Sequence, residues 1–158
     1  MTSKNKFLHL ITVAGRKRAG NKSNTKVFTL QTAEGEILNT EERFFRAVNQ
    51  SLPLNPPRVF HNWDALEDSL FGGLLYSGHK HVEIIWPFAD DVAASSTHLM
   101  IKIVKFFHSV AKSIYDEDDP QRNCMLSLNL VCSNERSKKR LKLELWAWFI
   151  LEPKYVNN

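Results

Sequence analysis

The sequence predicts an α/β fold, in which parallel strands form a small layer and helices make the crossovers. Three observations predict it. Short apolar or alternating runs at residues 27–31, 81–88 and 124–132 read as strands. Between them, apolar side chains recur at helical spacing, so the middle of the chain runs strand, helix, short helix, strand, helix, strand. With 158 residues, 43% of them hydrophobic and 24% charged, the chain can bury a core without a disulfide or metal staple, and a single domain spanning 1–158 is expected.

Each element has its own justification. Residues 7–13 alternate and read as a strand, and residues 15–26, rich in Gly, Asn, Ser, Lys and Arg, read as a loop. The run 27–31 is the next strand, and 33–36 is a turn. Asn39 with Glu42 resembles a helix cap, after which Phe44, Phe45, Val48 and Leu52 share a helical face. Pro53, Pro56 and Pro57 end that helix and impose extended chain. Asn62 caps a second helix over 63–70, with Trp63, Leu66 and Leu70 as its apolar stripe and Gly72-Gly73 as its stop.

Residues 81–88 form a strand that ends near Pro87. Ser95 or Ser96 opens a long helix with Leu99, Ile103, Phe106, Phe107, Val110 and Ile114 on one face. Asp116 to Asp119 are a solvated loop rather than a calcium site, because the spaced ligand pattern is missing. Cys124, Leu126, Leu128, Leu130 and Cys132 share one strand face. The two cysteines, eight positions apart, are separated by roughly 26 Å at about 3.3 Å per residue, too far for a disulfide, and read as small core residues. Residues 141–151 alternate and read as a last strand. The terminal strands 7–13 and 141–151 are additions that pair with each other or lengthen the sheet.

Function classes narrow by exclusion and by charge. The longest apolar run, residues 145–151, is too short for a membrane helix, and Arg16-Lys17-Arg18 stands where a signal peptide would have small residues. A cytoplasmic protein is expected. Residues 1–26 carry seven basic and no acidic side chains, 27–120 carry seven and fourteen, and 121–158 carry seven and three. An acidic middle is thus flanked by basic ends. There is no glycine-rich phosphate loop and no nucleophile elbow. His79, His81 and Glu83 alternate on one strand but read as surface residues. No metal and no cofactor is expected.

The most informative stretch is residues 62–70. Asp64 and Asp68 lie at i and i+4, with Glu67 beside them, on a face turned away from the apolar stripe. Like charges at this spacing disfavour a helix by roughly 0.2–0.5 kcal/mol per pair. Conflicts of this kind gather at functional sites.

The pattern Asn62-x-Asp64-Ala65-Leu66-x-Asp68-x-Leu70, followed by Gly72, resembles the inhibitory helix of the barstar family, inhibitors of the ribonuclease barnase. The order of elements around it is similar, and Trp86 falls where the family has a strand tryptophan. The resemblance spans about residues 26–134. It implies a small three-layer α/β domain with a three-stranded parallel sheet, to which the terminal strands are added. It also implies a non-enzymatic inhibitor or immunity protein that blocks a ribonuclease-type bacterial toxin by placing its acidic helix in the basic active-site cleft. Asp64 and Asp68 would take the family's two motif positions. The second of these mimics substrate phosphate, so Asp68 is the first choice for a hot spot. Glu67, Phe60, His61 and Gly73 would border them.

The chain departs from the family pattern at four places. Glu67 replaces an aromatic contact residue, and Gly73 replaces a tryptophan. The segment before Asn62 lacks the paired tyrosines, leaving Phe60 as its aromatic, and the acid of the long helix has only Ser109 nearby. A different nuclease, or another toxin, is therefore the target these departures suggest. Two other readings follow from the residues. The basic ends, with Lys142, Trp146 and Trp148, suit a nucleic-acid-binding module. His61 near Asp64 and Asp68 suits acid–base chemistry in a hydrolase.

Overall fold

A computed structural model describes residues 7–12, 24–30, 36–115 and 124–151, the last four of these (148–151) for backbone only. Residues 15–23 of the loop expected over 15–26, the turn residues 33–35 and the acidic run 116–119 lie outside the described residues, while Thr25 and Lys26 belong to β2 rather than to that loop. The elements are β1 (Leu8–Thr12), β2 (Thr25–Thr29), α1 (Glu41–Ser51), α2 (Trp63–Leu75), β3 (His81–Trp86), α3 (Ala89–Ser95), α4 (Thr97–Ile114), β4 (Met125–Cys132) and α5 (Glu135–Leu151).

The four strands form one parallel sheet in the order β1-β4-β3-β2. Register places Val82 beside Leu126, Ile84 beside Leu128 and Trp86 beside Leu130, so alternate residues of the two central strands share one face. Leu8 and Leu10 of β1 extend that face beside Leu128 and Leu130. The buried side chains of all five helices join this face in a single hydrophobic cluster, among them Phe44, Leu66, Val92, Phe107 and Leu141. The α/β class with a parallel sheet and helical crossovers is therefore present.

Several details differ from expectation, each for a physical reason. Residues 141–151 are helical, not a strand. Leu141 and Leu145, at i and i+4, are the α5 side chains that reach the core, and the chain before them carries an Asn134 cap whose Oδ1 accepts from Ser137 N at 2.9 Å. The terminal elements do not pair with each other. Of the two arrangements expected for the terminal strands, β1 takes the second: it lengthens the sheet on β4, as a fourth strand beside the three of the core. Among the described residues the buried apolar side chains of the helices join one hydrophobic cluster with the sheet. α1 is capped by Thr40, whose side chain accepts from Arg43 N at 3.2 Å, rather than by Asn39. The short α3, entered through Phe88 in the left-handed region at φ 57°, has no side-chain cap to announce it. Ser96 does open the long helix, accepting from Leu99 N at 3.3 Å. Cys124 and Cys132 are free and buried.

Candidate functional site

The site is built from the segment that leads into α2. Asn49, on α1, clasps this segment: its Nδ2 donates to the Val59 carbonyl at 2.7 Å and the Phe45 carbonyl at 2.8 Å, while Val59 N donates to its Oδ1 at 3.0 Å. On the other flank Asn55 N donates to the Ser69 carbonyl at 2.9 Å, and the Ser69 hydroxyl donates to the Pro56 carbonyl. The segment thus has both sides tied to helices, which fixes it without a metal or disulfide. Arg58 and His61 adopt left-handed backbone at φ 63° and 60°, and Phe60 between them is 49% exposed. The His61 ring stacks on Phe45, centroids 6.3 Å apart and 23° between planes.

Asn62 then caps α2, its Oδ1 accepting from Ala65 N at 3.0 Å. Leu66 and Leu70 are fully buried, and Trp63 stacks on Phe44 at 5.2 Å. The stripe expected from the sequence is the buried one. The helix does not stop at Gly72-Gly73 but runs to Leu75. These glycines serve packing: a Cβ at Gly73 would stand 1.8 Å from the Pro53 carbonyl oxygen, and one at Gly72 would stand 2.9 Å from that of Asn55. Gly73 is therefore where the helix presses on its own chain.

On the outer face Asp64 and Asp68 are both exposed. Neither forms an ion pair with a described lysine, arginine or histidine. Lys102, whose ammonium lies 4.6 Å from the Trp63 ring centroid, is instead bound to Glu41 Oε1 at 2.5 Å. The indole Nε1 of Trp63 donates to the other oxygen of that carboxylate at 3.1 Å. These two hydrogen bonds, the Lys102 one first, hold the Glu41 carboxyl below the ordinary carboxylate range. Glu67 is half-buried, and the Ser109 hydroxyl donates to it at 2.5 Å.

Five of the six residues singled out in the sequence thus belong to α2's outward face or the segment leading into it, and Gly73 belongs to its packing. Sequence reasoning missed Tyr76, the C-cap of α2 and 79% exposed. It lies beyond Gly72-Gly73, a pair that reads as a helix end, and this concealed it.

Fold and site together define a class: an α/β scaffold that holds an acidic helix from behind and leaves Asp64 and Asp68 unpaired by the described residues in front. Such a surface suits a cationic partner. The family described as Barstar (barnase inhibitor) matches the chain over residues 28–126, and the chain belongs to that family. It is a barnase-inhibitor-like protein. No curated protein and no solved structure matches it. No described helix is long and apolar enough to cross a membrane.

Proposed function

We propose that the protein is an inhibitor or immunity protein that blocks a ribonuclease-type bacterial toxin. In this reading α2 enters the toxin's basic active-site cleft. Asp68 accepts charge-assisted hydrogen bonds from the cations that would otherwise hold substrate phosphate, and Asp64 supports it one turn earlier. Phe60 and His61 border the contact, and Glu67, positioned by Ser109, flanks it. The protein acts by occupancy, without catalysis or a cofactor, in the cytoplasm of the cell exposed to the toxin. The opposed charges also speed encounter, a behaviour for which the barstar–barnase pair is the reference case.

The observation that carries this reading is that Asp64 and Asp68 are exposed and unpaired by the described residues. They sit on a helix anchored by Asn62, Asn49 and Gly73, and the nearby Lys102 is engaged by Glu41 instead of by them. Co-expression with a panel of bacterial ribonuclease toxin domains tests it. Wild type is expected to protect cells against at least one of them, and the doubly substituted Asp64→Ala, Asp68→Ala protein is not. Equal protection by both proteins would remove α2 from the role.

A further inference from the structure

We infer that the outward face of α5 is a binding surface for single-stranded RNA, separate from α2. The argument starts from how α5 is used. Among its described side chains, Leu141 and Leu145 are the buried ones that join the core. On the opposite side, among the described residues, Leu143 is 65% and Trp146 61% exposed. At 100° per residue, Arg136, Lys139, Leu143 and Trp146 fall on one stripe, and Lys142 stands one turn before Trp146. Lys138 pairs with Glu135, and Arg140 pairs with Glu144. Arg136, Lys139 and Lys142 form no ion pair among the described residues.

An exposed indole among such cations offers a stacking platform for a base and counter-charges for the flanking phosphates. The chemistry is that of a sequence-tolerant contact with a few unpaired nucleotides. Duplex RNA would hide the bases that the indole needs. A lipid surface fits less well. Interfacial helices insert a broad apolar face, whereas the exposed described side chains of α5 are mixed, with Arg136, Lys139 and Lys142 beside Leu143 and Trp146.

The test is anisotropy of a fluorescently labelled pyrimidine-rich RNA oligonucleotide titrated with the full chain across a salt series. Binding is expected at low salt. Trp146→Ala should weaken it about tenfold, within the range for one base–aromatic stack. Lys139→Ala with Lys142→Ala should flatten the slope of log affinity against log salt by about 0.7 for each phosphate no longer neutralised. Asp68→Ala should leave RNA binding unchanged. All the substituted side chains are exposed, and unchanged thermal melts confirm folding. Absence of RNA binding overturns the inference. So does binding that all three α5 substitutions leave intact, since the site would then lie elsewhere. Preferential binding to anionic vesicles would overturn it by assigning the face to lipid. Self-association that disappears in the same variants would overturn it by assigning the face to a second copy, whose acidic α2 carries the complementary charge.

Discussion

α2 and α5 both send buried side chains into the same hydrophobic cluster, yet they are held very differently. α2 is gripped along its length: a side-chain cap at Asn62, the Asn49 clasp before it, Leu66, Leu70 and Leu74 in the core, and Gly73 against Pro53. α5 is a flank, resting on β1, α3, α4 and β4, with Leu141 and Leu145 as the buried anchors among its described side chains. A recognition surface gains most from the first kind of support, because little ordering is then left for the partner to impose. The difference teaches that α2's exposed acids are held in place by the packing behind them.

The contrast can be broken most forcefully at Gly73. A methyl there meets backbone rather than a flexible side chain, so Gly73→Ala should cost about 3 kcal/mol in urea unfolding. Lys142→Ala on the outer face of α5 should change stability by less than about 0.5 kcal/mol. Similar small values for the two would mean that α2 is no more tightly seated than α5. Next is Asn49→Ala, which strands the Val59 N–H and carbonyl. A loss of about 2 kcal/mol is expected, with faster hydrogen exchange at Val59 and weaker toxin binding. Unchanged exchange at Val59 would show that the segment is fixed by other means.

The smallest effect is a pH dependence. Glu41 titrates below its ordinary value of 4.5 in the folded protein, chiefly because of Lys102. Its contribution is therefore full above that value and is lost as pH falls through the lowered one. Glu41→Gln should flatten this part of the acid-side decline in melting temperature. An unaltered profile would place the decline on other carboxylates.

What could be read in the sequence divides along the same line. The Asn62 cap, the buried stripe of α2 and the outward Asp64 and Asp68 are local features with local signals, and they stand where the spacing put them. The end of α2 was not legible, because Gly72-Gly73 looks like a terminator, and only the approach of Pro53 and Asn55 explains both glycines inside a helix. In α5, residues 141–148 alternate like a strand. The stronger signals were Asn134 as a cap and a run of good helix formers, Lys, Arg, Leu and Glu. The role of Ser109 was invisible in one dimension, since it and Glu67 are 42 positions apart. The place of β1 beside β4 is likewise a long-range pairing that no local pattern encodes.

The central claim is that Asp68 on α2 is the main contact with a ribonuclease toxin, and calorimetric titration of Asp68→Ala against a toxin that wild type neutralises tests it most directly. The account predicts a loss of at least about 2 kcal/mol in binding, the size of a hot spot, with an unchanged melting temperature. Equal affinity for the two proteins would contradict it.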